Sequence, residues 1–219
     1  MNPFEYYIPT KVIFGEGEVK RIGEVAAEFG KTAMLVSYDK DFIESIGLLG
    51  KTLTPLKEAG VQVIEHFGVK SNPTVEFVRE GVTLCKQTKP DVIIALGGGS
   101  VMDTAKAMAA GATSENDIWD MASGKAAIEA ALPIVTIVTI PATSSEMNPT
   151  SVISNDELRR KEGFGHPVMF PKVSILDPEL TYSIPVQLTA ISAADIVSHL
   201  MEGYINHFDE WAPMQDRFA

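Results

Sequence analysis

The chain has 219 residues, of which 45% are hydrophobic and 21% are charged, and its formal net charge is −11. This composition is typical of a globular protein with one large domain, or with one domain and part of a second. The negative charge argues against nucleic acid or an anionic membrane surface as the main partner. It does not exclude a cofactor that carries phosphate, because backbone amides bind phosphate without net positive charge.

Cysteine usage and the N-terminal residues predict the compartment. Cys85 is the only cysteine, so an intrachain disulfide is impossible and a reducing compartment is expected. The first residues lack the basic region and the apolar run of a signal peptide, and no apolar stretch is long enough to span a bilayer. We therefore expect a cytoplasmic protein that has no membrane partner.

Strand-like and helix-like segments alternate along the chain. In chain order, the predicted elements are strand TKVIFGEG, helix EVKRIGEVAAEFG, strand TAMLVSY, helix DFIESIGLLGKTLTPLKEAG, strand VQVIEHF, helix PTVEFVREGVTLCKQTK, strand PDVIIALGGGS, helix VMDTAKAMAAGA and strand PIVTIVTIPA. Apolar strands separated by amphipathic helices predict an α/β fold, a Rossmann-like, doubly wound and mostly parallel sheet covered on both faces. From about Pro185 onward only helix signals remain, so we place a domain boundary after residue 184 and expect an all-helical second part over 185–219.

Three consecutive glycines follow the fourth predicted strand. The buried strand runs into Gly97, Gly98 and Gly99, and Ser100 and a helix come next. Glycines let the backbone approach a pyrophosphate closely, and the N terminus of a helix offers free N–H groups and a positive dipole end. The alternative is a plain tight turn in which Ser100 caps the helix and Asp103 completes a capping-box-like pair. Because a carboxylate beside a pyrophosphate would be repelled, Asp103 is expected to hold the loop or to contact a ribose.

A carboxylate and an imidazole lie four residues apart in the last predicted helix. In SAADIVSHLMEGYIN, this spacing makes Asp195 and His199 neighbours on one helix face. Oxygen and nitrogen ligands together suit Fe²⁺ or Zn²⁺. Spacing alone favours a simpler alternative, a solvated helix face with a weak Asp–His pair.

Four motifs, taken in order, resemble the iron-containing alcohol dehydrogenases. They are GGGSVMDTAKAMA, PATSSEMNPTSVIS, LDPELTYSIP and ADIVSHLMEGY, and the final QDRFA is most similar to the butanol-dehydrogenase branch. The resemblance covers the whole chain. It implies a dinucleotide-binding domain over 1–184 and the beginning of a helical metal-binding domain over 185–219, because family members are considerably longer. It also implies that Asp195 and His199 are metal ligands and that two further histidines belong to later helices.

The resemblance also implies cofactor contacts outside the glycine run. Asp39 follows the second strand, where an acidic residue goes with NAD, and NADP stays an alternative because Lys40 could compensate the carboxylate. Asn72 is expected near the adenine. Thr143 and Ser145 are expected along the nicotinamide half, and Lys161 is expected to reach the cofactor. Each residue also has a purely structural alternative. Asp39 could cap the next helix and Asn72 could start a turn. Thr143 and Ser145 could be ordinary loop hydroxyls, and Lys161 could be a solvated lysine.

The activity that the resemblance implies is the interconversion of a primary alcohol and an aldehyde by NAD or NADP. A divalent metal, iron or zinc, would act as Lewis acid on the substrate oxygen. Two alternatives stay open, a lyase similar to dehydroquinate synthase and a nucleotide-binding module without catalysis. Because two ligands make a weak metal site, the 219 residues alone are expected to be nearly inactive. A homo-oligomer is also expected.

Overall fold

A computed structural model describes the chain from residue 7 to residue 205, with side chains described up to residue 202. Eight strands lie within this range, and they are β1 (Lys11–Phe14), β2 (Thr32–Ser37), β3 (Gln62–Phe67), β4 (Val92–Gly97), β5 (Ile134–Val138), β6 (Thr150–Asn155), β7 (Arg160–Gly165) and β8 (Val173–Leu176). The α-helices of the same range are α1 (Ile22–Ala27), α2 (Lys40–Ser45), α3 (Leu48–Glu58), α4 (Val75–Thr88), α5 (Gly99–Ala112), α6 (Ile118–Ala122) and α7 (Val186–Ile205). Short 3-10 turns lie at Glu18–Arg21, Ser145–Met147, Pro167–Met169 and Pro178–Thr181. None of the helices described has both the length and the apolar character that crossing a bilayer requires.

Six strands form the main sheet in the order β1-β8-β5-β4-β2-β3. Every neighbouring pair in it is parallel. Successive residues of the inner strands point to opposite faces, because side chains alternate along a strand. Met34 and Val36 of β2 join the apolar cluster that includes α4, α5 and α6, whereas Ala33 and Leu35 join the cluster that includes α1 and α3. The predicted α/β class with a doubly covered parallel sheet is confirmed.

Several helix boundaries differ from the prediction, among them those of the second and third predicted helices. The single helix expected over DFIESIGLLGKTLTPLKEAG is two helices, α2 and α3, because Gly47 takes a left-handed conformation with φ 76° between them. Helix α4 begins after Thr74, whose side chain accepts a hydrogen bond from the Phe77 amide at 3.4 Å. Pro73, the first residue of the helix predicted over PTVEFVREGVTLCKQTK, therefore precedes the cap and lies outside the helix.

The antiparallel hairpin of β6 and β7 and the short strand β8 were not predicted. The hairpin pairs β6 with β7, from Thr150 opposite Gly165 to Asn155 opposite Arg160. Its strands carry many polar residues and two glycines, so they lack the apolar run by which the other strands are recognised. An isolated bridge between Thr74 and Ser154 joins the hairpin to the start of α4. The hairpin thus lies beside the ends of α4 and α5, where the candidate site is found.

The helix predicted after Pro185 is present as α7. Many of its apolar side chains are solvent-exposed, from Ile196 at 39% to Val186 at 86%. The division of the chain into 1–184 and 185–219 stays a prediction.

Candidate functional site

The glycine run forms the bend between β4 and α5. Gly97 ends the strand, Gly98 is the N-cap residue, and α5 begins at Gly99. Ser100 lies inside the helix and its hydroxyl donates to the Ser71 carbonyl at 2.6 Å. The capping-box alternative for Ser100 and Asp103 is therefore wrong, because the helix starts one residue before the serine.

Close packing explains why two of these positions must be glycine. A Cβ atom on Gly97 would lie 2.5 Å from Val101 Cγ2, and one on Gly99 would lie 2.7 Å from the Thr143 side chain. None of the three glycines has a left-handed φ. The sequence therefore needs glycine here because neighbouring atoms approach the backbone closely.

Tyr38 supports the bend from the end of β2. The Gly98 amide donates to the Tyr38 hydroxyl oxygen at 3.0 Å. Burial raises the pKa of Tyr38, while the Gly98 hydrogen bond opposes the rise, so the hydroxyl stays neutral near pH 7. The N–H groups of Gly99 and Ser100 are in the first turn of α5 and have no partner within the helix. They are the donors that the bend can offer to an anion.

A cavity of about 540 Å³ opens beside the bend. Its volume lies within the range of sites that bind small molecules. The residues that line it are Ser71, Asn72, Pro73, Gly99, Ser100, Asp103, Thr143, Ser144, Ser145, Asn148, Thr150, Val152, Lys161 and His199. Most of the predicted cofactor residues and one predicted metal ligand are thus brought to the same space, at the carboxyl edge of the parallel sheet.

The cavity does not collect every predicted site residue. Gly97, Gly98, Asp39 and Asp195 are not among its lining residues. Asp39 is the N-cap of α2, where its carboxylate accepts from the Phe42 amide at 3.1 Å. The capping alternative for Asp39 is therefore realised, and its contact with a ribose stays a prediction.

Asp103 ties α5 to the segment that follows β5. One carboxylate oxygen accepts from the Ser145 hydroxyl at 2.6 Å, and the other accepts from the Val152 amide at 2.9 Å. Burial raises the pKa of Asp103, and the Ser145 hydrogen bond and the nearby Lys106 charge oppose the rise. Asp103 thus holds the segment from Ser145 to Val152 against α5, and its two expected roles, at the glycine bend and at a ribose, stay predictions.

Lys106 is a polar residue behind the cavity that was not predicted from the sequence. Its side chain is fully buried, and its amine donates to Ser145 Oγ at 2.8 Å, Asn148 Oδ1 at 2.9 Å and the Thr150 carbonyl at 2.8 Å. Burial lowers the pKa of Lys106 to about 8, and nearby carboxylates oppose this change. The signal was available in the sequence, because Lys106 is the only charged residue of α5 after Asp103, among small and apolar neighbours.

Lys161 and Asn72 meet across the open side of the cavity. Lys161 lies on β7 and its amine donates to Asn72 Oδ1 at 3.3 Å. Both side chains are solvent-exposed at this contact. The β6–β7 hairpin, which was not predicted, therefore brings Lys161 to Asn72.

Helix α7 places an imidazole beside the same cavity. His199 Nε2 lies 3.7 Å from Asp195 Oδ2, and His199 Nδ1 lies 3.9 Å from Glu202 Oε2. Two ligands at 2.0 to 2.2 Å from a tetrahedral cation are about 3.4 Å apart, so Asp195 and His199 fit one metal ion. Between residues 7 and 202, no group of three or more histidine, cysteine, aspartate or glutamate side chains is arranged to hold a metal.

Comparisons with known proteins agree with this geometry. The family profile described as iron-containing alcohol dehydrogenase matches residues 9–178. The chain belongs to this family. Among curated proteins, the probable NADH-dependent butanol dehydrogenase 1 of Bacillus subtilis is 44% identical over the whole chain, and NADH-dependent butanol dehydrogenase A of Clostridium acetobutylicum is 40% identical. The resemblance to the butanol-dehydrogenase branch is thereby confirmed.

A solved structure of the iron-containing alcohol dehydrogenase family has the same fold. The NADH-dependent butanol dehydrogenase A from Thermotoga maritima superposes with a TM-score of 0.89 at 38% identity, covering 99% of this chain and 58% of that chain. The chain also spans 56% of the length of each of the two curated relatives. The fold of the described residues is therefore that of part of a longer iron-containing alcohol dehydrogenase.

Proposed function

We propose that the whole protein is an NAD-dependent, metal-assisted oxidoreductase that interconverts a primary alcohol and an aldehyde of the butanol type. The single observation that carries this proposal is the shared cavity, which is bordered by the N terminus of α5 and by His199. A dinucleotide on the first wall and a metal ion on the second would both face the same space. Hydride transfer requires this proximity between the nicotinamide and the substrate carbon.

The cofactor half of the cavity suits a pyrophosphate followed by a nicotinamide. The free N–H groups of Gly99 and Ser100 would bind phosphate oxygens at the positive end of the helix dipole. The hydroxyls of Thr143 and Ser145 would orient the nicotinamide half, and Lys161 would add a positive charge near the phosphates. Because the Ser145 hydroxyl already donates to Asp103, it would meet the cofactor through its remaining lone pair.

NAD is favoured over NADP by the charges at the end of β2. Lys40 is the cation nearest in sequence to Asp39, and its amine is bound to the Glu65 carboxylate on β3. The Asp39 carboxylate would therefore repel an additional 2′-phosphate, and Lys40, which is already paired with Glu65, would not offset this repulsion. The two curated relatives are named as NADH-dependent, which agrees with this preference. We expect NADH to bind at least about tenfold more tightly than NADPH in side-by-side calorimetry.

The metal half consists of Asp195 and His199, which would hold iron or zinc. When bound, the ion would supply Lewis acidity to an alcohol or aldehyde oxygen. His199 Nε2 faces Asp195 Oδ2 at 3.7 Å, so this nitrogen is the one placed to share an ion with the carboxylate. Asp195 contributes a carboxylate whose charge lowers the positive charge of the site.

The 219-residue chain by itself is proposed to bind the cofactor without appreciable dehydrogenase activity. Catalytic metal sites usually have three protein ligands, and Asp195 and His199 are two. No feature of the cavity favours the lyase alternative, and the relatives above are named as dehydrogenases. A homo-oligomer is also proposed, because Val197 and Met201 of α7 are about half exposed, at 53% and 51%, and exposed apolar patches promote association.

Cofactor binding is tested by titrating NADH into the 219-residue chain and two glycine variants. In Gly99→Ala, the new Cβ would lie 2.7 Å from Thr143, so the bend must shift and NADH affinity should fall at least about tenfold. Gly50→Ala is the matched control, because its Cβ would meet nothing within 4 Å. Absence of binding by the unsubstituted chain at millimolar NADH would remove the proposal, and so would equal affinities in all three proteins.

The proposed dehydrogenase activity is tested by measuring the loss of NADH absorbance when butanal is added. The 219-residue chain should give little or no turnover with added Fe²⁺ or Zn²⁺, whereas the whole protein should be active. Substituting Asp195→Asn or His199→Ala in the whole protein should reduce turnover at least about a hundredfold. Robust metal-dependent turnover by the 219 residues alone would contradict the proposed inactivity. A monomeric mass in light scattering would contradict the oligomer.

A further inference from the structure

The Lys106 side chain crosses from the middle of α5 to the segment between β5 and β6. It is 0% exposed, although a free lysine amine is strongly hydrated. A buried ammonium group is tolerated only when hydrogen bonds replace its water shell. The amine makes three such bonds, all at 2.8 to 2.9 Å. Lys106 is therefore a fully coordinated internal cation.

Every acceptor of Lys106 belongs to the wall of the cavity. Ser145, Asn148 and Thr150 all line the space described above, while Lys106 itself does not. Asn148 passes the connection on, because its Oδ1 also accepts from the Thr150 amide at 3.0 Å. One amine thus connects two positions of the segment after β5 and the first residue of β6 to the helix behind them.

The loop needs such an anchor because its backbone is strained. Ser144 has a left-handed conformation with φ 53°, which is unfavourable for a residue other than glycine. Such a conformation persists only where surrounding contacts hold it. The adjacent Ser145 is held on both sides, by Lys106 and by Asp103.

We propose that Lys106 is a positioning residue that fixes the segment from Ser145 to Thr150 as one wall of the cofactor cavity. The inference rests on the proposed function, because the cavity is assigned to the dinucleotide there. Lys106 acts through the hydrogen bonds of its amine and does not touch the cofactor.

The charge of Lys106 has a second effect on an anionic ligand. Two carboxylates interact with it, Asp103 on its own helix and Glu146 on the loop. Glu146 is nearly buried, and its Oε2 atom has no hydrogen-bond partner among the described residues. Without the lysine, Glu146 would lose the positive charge beside it, and Asp103 would keep only the weaker attraction of Lys161, near a site proposed to hold a pyrophosphate. Loss of the amine would therefore loosen the wall and also repel the cofactor.

The test combines hydrogen exchange with NADH titration of the 219-residue chain. In Lys106→Met, which keeps the length and apolar stem, amide exchange in peptides covering 143–150 should quicken about tenfold relative to peptides from β2 and β3. The dissociation constant for NADH should also rise about tenfold, because hydrogen bonds from a charged donor are lost. Lys125→Met is the control for the lost charge, since Lys125 is 69% exposed and lies outside the cavity. It should change neither readout.

A second variant keeps the inference testable if Lys106→Met does not fold. Asn148→Ala removes one acceptor of the Lys106 amine and should quicken amide exchange in the same peptides by a smaller factor. In the double variant with Lys106→Met, the two losses of NADH affinity should be less than additive. Unchanged local exchange and affinity in folded Lys106→Met would overturn the inference, as would unchanged exchange in Asn148→Ala. If the unsubstituted chain fails to bind NADH, the proposed function fails, whereas the exchange readout still decides whether Lys106 positions the loop.

Discussion

The helices α5 and α7 both border the candidate cavity, yet they are held in different ways. Helix α5 is enclosed between the sheet and α4, and Val101, Met102 and Lys106 on it are completely buried. Helix α7 exposes His199 by 54% of its side chain and Val197 by 53%. The wall proposed for the cofactor is therefore built into the core of the α/β fold. The wall proposed for the metal depends on a helix that this fold leaves largely open to solvent.

The largest expected effect concerns the charge buried behind α5. Burial lowers the pKa of Lys106 to about 8 from the ordinary lysine value of 10.5. Below pH 8 the amine is charged in both states, so the full cost of burying the charge is present. Between pH 8 and pH 10.5 the unfolded chain binds more protons than the folded chain, so this residue makes the free energy of unfolding rise with pH.

Urea denaturation of the unsubstituted chain and of Lys106→Met checks this contribution. The difference in unfolding free energy should change by about 3 kcal/mol in favour of the unsubstituted chain across that pH interval. Other alkaline titrations, such as that of Cys85, occur in both proteins and cancel in the difference. A difference that stays flat with pH would show that the Lys106 amine is not the buried cation described here.

A smaller effect is expected for a methyl group added at the bend. In Gly97→Ala, the new Cβ would lie 2.5 Å from Cγ2 and 2.7 Å from Cβ of Val101, which is itself fully buried. We expect a loss of about 1–3 kcal/mol in unfolding free energy, measured by urea denaturation. Gly50→Ala on α3, where a Cβ meets nothing within 4 Å, should be neutral or stabilising. Equal stability of the two variants would remove the argument for a tightly packed bend.

The smallest effect is expected on α7. Val197→Ala removes two methyl groups from a side chain that is 53% exposed, so unfolding free energy should change by less than about 0.5 kcal/mol. The measurement is the same denaturation curve, taken at the lowest practical protein concentration to limit association. A loss above about 1 kcal/mol would break the comparison, because it would mean that α7 is packed as firmly as α5.

The parts of the fold that could be predicted share a simple sequence signal. The inner strands are runs of apolar residues, which is what burial on both faces of a parallel sheet requires. Gly97, Gly98 and Gly99 marked the bend, and the four-residue spacing of Asp195 and His199 put both on one face of α7. These signals lie within short stretches of the chain, so they can be recognised from one sequence alone.

The missing parts depend on contacts between distant residues. Lys106 donates to partners 39 to 44 positions away, and the residues next to it in sequence do not indicate which partners these are. Asp39 satisfies a helix cap and a family pattern equally well, so its sequence context does not separate the two roles. The β6–β7 hairpin has no apolar run because one of its faces is solvated, and its position beside the cavity follows only from tertiary packing.

The pairing of β1 with β8 has a consequence for synthesis of the chain. Lys11 lies opposite Val173, and the Thr10 hydroxyl donates to the Pro171 carbonyl 161 positions later. During translation β1 therefore stays unpaired until β8 has left the ribosome, whereas β2, β3 and β4 can already associate. Ile13, which is only 5% exposed in the folded chain, stays uncovered during this delay.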